Sequence, residues 1–348
     1  MLCDDVLEQA SRSPVKGLFL DAADYMNHIL AQEIAPDVVK SLRYVFDSSV
    51  VYAIQEMTLS APDTLLDIID MMKLPHDPLW IEWSPVEAIR TVGEFGLAPL
   101  PVSGIKELPE KSGALYWRDD SLGEGGIRAR MAFRFKGGAV ATSPAIATIS
   151  PMAPLTSYEE IKDVVLSLSQ TPDFPGYMLR NSPDRLKKYT MLLSHQQTYS
   201  PPLTGYLPRL QNMGLGDPKF LAHLSQMFRA SGAEMAGDIY FLLGAVLMLN
   251  TFNATRATTV DLQKLNKARE RRAKSALLEH SVVSMRLSKP ERQSNGETGS
   301  GNKKRGHICR GHFKKIPRPG GETRLVWWRE HWRGGGPRGP SPLRKLKV

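Results

Sequence analysis

The side chains with the clearest chemical purpose lie in residues 305–334. Basic, aromatic and imidazole residues alternate there along two extended runs, and the segment 317–321, with two Pro and two Gly, separates the runs. Guanidinium and ammonium groups bind phosphates, and indole rings stack on exposed bases. The pattern therefore predicts a twisted β-hairpin that contacts nucleic acid, either DNA or RNA. The residues predicted to make these contacts, two of them from a basic segment further upstream, are Arg305, Arg310, His312, Lys314, Lys315, Arg324, Trp327, Trp328, Arg329, His331, Arg333, Arg271 and Arg272.

The adjacent Trp327 and Trp328 have a constraint of their own. Neighbouring residues of a strand point to opposite faces, so at most one of the two can pack in a core while the other is exposed. Phe313 and Ile316 are expected to be structural. An alternative is that the indole rings serve only as the core of a small hairpin.

Charge is distributed unevenly along the chain. Residues 261–348 hold 23 Lys and Arg against 7 Asp and Glu, whereas residues 1–260 hold 22 against 29. The C-terminal quarter therefore has a charge balance of +16 and the rest of the chain −7, which together give the net charge of +9. This segregation favours an anionic partner for that quarter, with nucleic acid first. The alternative is a solvated basic tail that only maintains solubility.

The spacing of the possible zinc ligands argues against a zinc site. His307, Cys309, His312 and His331 have the right ligand chemistry, but their spacing matches no standard zinc finger. In a strand, His307 and Cys309 would share one face while His312 would lie on the other. We predict no metal and no cofactor.

Catalytic patterns are weak in this sequence. The pair Ser194 and His195 lacks the glycines of a nucleophile elbow. Four carboxylates could gather around a divalent ion, as in a metal-dependent nuclease, although no spacing fixes their geometry; they are Glu82, Asp119, Asp120 and Glu124. We predict no catalytic residue and keep the nuclease as a third hypothesis.

The N-terminal half predicts helices followed by strands. Residues 1–72 have helical periodicity, including one long helix over about 36–59. Residues 75–150 predict an antiparallel sheet, in which 127–136 is the clearest strand and Gly137-Gly138 the clearest turn. That strand alternates apolar residues with a cationic row, which either binds an anion or forms a charged outer face; the row is Arg128, Arg130, Arg134 and Lys136.

The second half predicts further helices and one more strand. Ser157 and Glu160 form a capping box before a helix. Helices are also expected over 218–229, over the apolar run 239–249, which is too short to cross a bilayer, and over 261–274. Residues 280–287 predict a strand that pairs with the hairpin in a three-stranded module.

These elements add up to an α+β fold, with helices packed on an antiparallel sheet and a C-terminal basic β-hairpin module. The expected divisions are an α+β body over 1–255, a basic helix and strand over 256–287, a flexible linker over 288–304, the basic aromatic hairpin over 305–334 and a disordered basic tail over 335–348. The two cysteines indicate a reducing compartment, and the acidic start of the sequence is unlike a secretion signal.

Three stretches of the sequence resemble a known group. They are 79–83 (LWIEW), the segment 261–283, and the paired motifs RGHFK at 310–314 and WWREHWRG at 327–334. In these the chain is similar to an uncharacterised group of phage and prophage proteins of proteobacteria, which has no assigned activity. The resemblance implies a bacterial-virus context and the cytoplasm of a bacterial host, and it implies no catalytic residue. The sequence continues past the Arg-Gly ending of that group.

The leading hypothesis is a nucleic-acid-binding accessory protein that acts through the hairpin and carries out no chemistry. The competing hypothesis is a protein-interaction factor, an inhibitor or adaptor of a host complex, which works through the acidic body. No membrane association is expected. The sequence does not predict the oligomeric state.

Overall fold

An eight-stranded mixed sheet organises the protein, and helices cover both of its faces. The computed structural model describes residues 1–12, 22–85, 109–169, 182–286, 307–309, 311–328 and 331–333. The strand order is β6-β5-β4-β3-β2-β1-β8-β7, with the ranges given below. β1 runs parallel to both of its neighbours, and every other adjacent pair is antiparallel. The α+β class predicted from the sequence is confirmed.

The helices are α1 (Leu2–Ala10), α2 (Ala22–Lys40), α3 (Ser48–Ser60), α4 (Tyr158–Ser169), α5 (Pro183–Ser194), α6 (Leu207–Asn212), α7 (Pro218–Asn250) and α8 (Gln263–Glu270), with 3-10 helices at Pro62–Met71, Asp120–Leu122 and Leu203–Gly205. The strands of the large sheet are β1 (Leu42–Phe46), β2 (Leu79–Trp83), β3 (Lys111–Arg118), β4 (Ile127–Arg134), β5 (Val140–Ile149), β6 (Gln196–Tyr199), β7 (Thr255–Thr259) and β8 (Ser281–Met285). Four further strands form two small sheets: β9 (His307–Cys309) with β12 (His331–Arg333), and β10 (His312–Pro317) with β11 (Thr323–Trp328).

The apolar core lies on one face of the sheet. Alternate residues of β2 to β5 pack there against α3, the Pro62–Met71 helix and the second half of α7. The apolar run predicted as a core helix is buried, and Leu242, Leu243 and Val246 are fully enclosed. Helix α7 is longer than predicted, because the helices expected over 218–229 and 239–249 are parts of one element.

The opposite face of the sheet is covered by α1 and α2 and contains charges. Arg130 of β4 is 5% exposed and pairs with Glu33 of α2 at 2.8 Å. Arg134 pairs with Asp5 of α1 at 3.2 Å. Two of the four cations in the predicted row, Arg130 and Arg134, therefore do not face solvent as expected, since α1 and α2 cover them and supply carboxylates. Arg128 pairs with Asp119, and Lys136 is exposed.

Two predicted elements are corrected by the structure. The single helix expected over 36–59 is interrupted by β1, after which the Asp47 side chain accepts hydrogen bonds from Ser49 N and Val50 N and so caps α3. The strand expected over 280–287 exists as β8, but it pairs with β1 and β7 instead of with the hairpin. Both corrections have one cause, because β1 and β8 pair as central strands of the large sheet.

Three asparagine side chains hold distant segments together in the same way. Each amide accepts a hydrogen bond from the backbone N–H of one remote residue and donates one to the carbonyl oxygen of that residue. The pairs are Asn250 with Lys73, Asn253 with Trp327, and Asn266 with Leu277. Each amide thus satisfies two backbone groups that would otherwise need a strand partner.

Among the described helices, none is long and apolar enough to cross a membrane by itself. The segments Pro218–Gly232 and Gly237–Asn250 of α7 meet the length and composition only as a pair, and they are bent by 49°.

The contribution of buried ion pairs to stability can be tested at Glu82 of β2. This carboxylate is 1% exposed and accepts hydrogen bonds from Lys111 Nζ and Leu2 N, both at 2.8 Å. Lys111→Met is expected to lower the free energy of unfolding by about 3 kcal/mol, because a buried charge loses its counter-ion. The measurement is urea unfolding followed by circular dichroism.

The matched control is Lys188→Met, which removes the exposed pair with Asp67. An exposed pair contributes about 0 to 1 kcal/mol, so this variant should unfold nearly as the native chain does. Equal losses from the two substitutions would contradict the structural role of the buried pair.

Candidate nucleic-acid interface

The predicted β-hairpin is present between β10 and β11. Its strands pair antiparallel from His312 with Trp328 to Pro317 with Thr323. The turn closes with a hydrogen bond from Arg318 N to Glu322 O, and Gly320 and Gly321 have φ of 99° and 86°, a region that favours glycine. The 317–321 turn signal is confirmed. Strands β9 and β12 pair next to it, with His331 opposite Cys309 in the register.

The inner face of the hairpin packs on the body. Leu325 is 2% exposed and Trp327 5% exposed, and both belong to the main apolar core. Phe313, the cross-strand partner of Trp327, meets its indole edge to face with ring centres 5.0 Å apart. A side chain at Gly311 would place its Cβ 2.5 Å from the indole, so this position needs a glycine.

Hydrogen bonds to residues just after α7 and one ion pair attach the hairpin to the body. Asn253 Oδ1 accepts from Trp327 N at 2.8 Å, and Asn253 Nδ2 donates to Trp327 O at 3.0 Å. Phe252 N donates to Leu325 O at 3.4 Å. Lys315 Nζ lies 2.7 Å from Asp70 of the Pro62–Met71 helix. The hairpin is therefore attached through apolar burial, backbone pairing and one ion pair.

The outer face of the hairpin carries the alternate residues. By strand alternation and register, it consists of His312, Lys314, Ile316, Arg324, Val326 and Trp328. Trp328 is 42% exposed, and the Lys314 ammonium lies 4.0 Å from the centre of its ring. The Arg324 guanidinium lies over the ring of Phe252 on the body. The outer face thus combines cations with an exposed indole.

The outer face and its turn hold cations without carboxylate partners in the described chain. No described Asp or Glu forms an ion pair with Lys314, Arg318 or Arg324. The pKa of Arg324 is lowered from its usual value by desolvation and then by the nearby charge of Arg318. Arg318 and Arg324 therefore add their positive charges beside the turn, which favours a bound anion there.

The structure divides the residues predicted for nucleic-acid contact. Four lie on the outer face: His312, Lys314, Arg324 and Trp328. Two lie on the inner face, where Trp327 is buried and Lys315 is paired with Asp70. A buried indole cannot stack on a base, so Trp327 leaves the predicted contact set, and Lys315 leaves it because its charge is already compensated. His331 and Arg333 are placed in β12, and the residues outside the described ranges are Arg305, Arg310 and Arg329.

Two of the predicted contact residues lie outside the hairpin. Arg271 and Arg272 are exposed just after α8, where Ala273 has φ of 52°. Their part in nucleic-acid contact stays a prediction.

Sequence reasoning missed the body residues that hold the hairpin. Asn253 and Phe252 follow the core helix in an ordinary turn, and no local pattern links them to Trp327, which is 74 residues away.

The enzymatic candidates do not assemble in the described residues. Within the described ranges, no three His, Cys, Asp or Glu side chains are grouped as a metal site would require. Ser194 Oγ donates to Met191 O, and His195 Nδ1 bonds Ser150 O at 2.8 Å, so the pair does not form a nucleophile and base. Asp119 pairs with Arg128, and Glu82 with Lys111.

Comparison with known proteins adds little to this geometry. The chain matches no protein-family model and no curated protein. One solved structure with a detectable likeness is the "Crystal structure of AcrVA2", at 13% identity over 89% of this chain and 77% of that chain, with a TM-score of 0.29. A likeness at that TM-score supports no argument about fold or function.

The attachment of the hairpin can be tested at Asn253. Asn253→Asp keeps an acceptor for Trp327 N–H but removes the donor to Trp327 O and sets a negative charge against that carbonyl. We expect the backbone amides of β11 to exchange hydrogen about 5- to 150-fold faster, because a lost hydrogen bond that leaves a polar group unsatisfied costs about 1–3 kcal/mol. Hydrogen exchange with mass spectrometry measures this change.

Asn250→Asp is the matched control, since it disturbs the equivalent bonds to Lys73 and leaves the hairpin contacts in place. Exchange in β11 that responds equally to both variants, or to neither, would show that Asn253 does not hold the hairpin.

Proposed function

We propose that this protein binds nucleic acid through the outer face of its C-terminal hairpin. Lys314, Arg324 and the adjoining Arg318 supply phosphate contacts, and Trp328 supplies an aromatic surface at the open end of the hairpin, next to Lys314. The body acts as the platform that holds this face in one orientation.

The observation that supports the proposal is a contrast between two rows of cations. On β4, Arg128, Arg130 and Arg134 each pair with a carboxylate of the chain itself. On the hairpin, Lys314, Arg318 and Arg324 have no such carboxylate partner within the described residues. A cation that is not compensated internally remains available to an external anion, and clustered Lys and Arg dominate contacts to phosphates.

A protein partner that binds the acidic body is the competing hypothesis. Several carboxylates of the acidic body already pair with cations of the chain; they include Asp5, Glu33, Asp63, Asp67 and Asp70. This internal pairing weakens the case for an acidic working surface and favours the hairpin.

Two neighbouring lysines of β10 give a sharp test. Lys314→Gln and Lys315→Gln remove the same charge from the same strand, but Lys314 lies on the outer face and Lys315 is paired with Asp70. Binding of the full-length chain to labelled DNA and RNA is measured by fluorescence anisotropy across a salt series. Lys314→Gln should weaken binding and reduce the slope of log affinity against log salt by about 0.7 to 0.9, the value of one phosphate contact.

Lys315→Gln should leave both the affinity and the slope close to those of the native chain. The proposal fails if the native chain binds no nucleic acid at low salt, or if the two variants are equally impaired. A host protein that binds the native and Lys314→Gln chains alike, together with that failure, would support the competing hypothesis.

A further inference from the structure

The exposed indole of the outer face has a geometry that distinguishes between classes of nucleic acid. Trp328 pairs across the hairpin with His312, and the Lys314 ammonium covers its ring at 4.0 Å from the ring centre. With 42% of the residue exposed, the indole presents apolar surface beside a cation. Aromatic side chains flanked by cations are the usual platform on which single-stranded bases stack.

The remaining outer residues also suit base faces better than base edges. A two-stranded ribbon that enters the major groove of a duplex reads hydrogen-bonding groups on the edges of the bases with polar side chains. Half of the outer face consists of Ile316, Val326 and Trp328. These side chains have no group that could hydrogen-bond to a base edge except the indole N–H of Trp328. Ile316 is 37% exposed, so the apolar character of this face reaches the surface.

A duplex keeps its bases stacked on one another, so an indole on a paired strand ribbon reaches them only after they separate. Unpaired bases offer both of their faces, and stacking on an aromatic side chain does not depend on base identity. The Lys314 ammonium lies over the Trp328 ring, so a base that stacks on that face displaces it. The displaced ammonium stays beside the ring on the paired strand, where it can bind the phosphate next to the stacked base.

We infer that the ligand of the outer face is single-stranded nucleic acid, with one unpaired base stacked on Trp328 and its neighbouring phosphates bound by Lys314 and Arg324. This inference rests on the proposed function and narrows it to one class of ligand. The stacking makes binding tolerant of sequence, while the cations make it dependent on salt.

The test uses the full-length chain with labelled single-stranded RNA and DNA of about twelve nucleotides and with a duplex of the same length at one low salt concentration. The native chain should bind a single strand at least about tenfold tighter than the duplex. Trp328→Leu keeps an apolar side chain but removes the aromatic face, and it should reduce single-strand affinity by about 5- to 150-fold, the range found for loss of one stacked base.

Trp328→Phe is the matched control, because it restores a ring and should recover most of the affinity. Neither variant changes a charge, so the salt slope of both should stay native. The ratio between the RNA and DNA arms identifies whether the sugar 2′-hydroxyl contributes, since only RNA carries that group.

Duplex binding as tight as single-strand binding would overturn the inference, and so would a Trp328→Leu chain that binds like the native one. Both of those results leave the proposed function standing if Lys314→Gln still weakens binding. Absence of binding to every probe at low salt instead removes the proposed function itself.

Discussion

The burial of Trp327 determines the arrangement of the C-terminal module. A buried Trp typically contributes about 3–5 kcal/mol relative to Ala, so the docked hairpin has one strongly preferred face against the body. Because neighbours on a strand point in opposite directions, an inward Trp327 places Trp328 outward, and the register then places Lys314 outward and Lys315 inward. Asn253 adds specificity to this burial by occupying both backbone groups of Trp327. The available cations and the exposed indole are therefore consequences of one packing contact.

The same fold shows how the rest of the charge is used. Arg130 and Arg134 of β4 lie beneath α1 and α2 and pair with carboxylates there, and the Pro62–Met71 helix pairs three cations with carboxylates of its own. Asp63 pairs with Arg185 and Asp67 with Lys188, both on α5, while Asp70 pairs with Lys315 on the hairpin. On the inner face of the hairpin, the charge of Lys315 is thus paired with a carboxylate of the body. The cations of the outer face have no such pairing in the described residues, so they are available to bind an external anion.

Local patterns predicted the elements that local interactions determine. The hairpin, its 317–321 turn and strand β4 follow from alternation and from glycine at positive φ, and all are present. The split of Trp327 from Trp328 also follows from alternation, but which of them is buried depends on a body contact 74 residues away. No pattern within the hairpin contains that information.

Long-range pairing accounts for the errors. The residues of β1 fit a helical period as well as a strand period, and their pairing with β2 and with β8, which lies more than 230 residues further on, decides for the strand. The alternation in β4 predicts a charged face at the surface, because an antiparallel sheet commonly has one face on the core and one face in solvent. Carboxylates of α1 and α2 cover it instead, and a sequence does not reveal which helix will pack on which face of a sheet.

Ultraviolet cross-linking of the full-length chain to a bound oligonucleotide, followed by mapping of the modified residues by mass spectrometry, tests the central claim most directly. The account predicts adducts on the outer residues of β10 and β11, with Trp328 foremost, and none on Phe313 or Trp327. Adducts confined to α8 or to the body, with β10 and β11 unmodified, would contradict it.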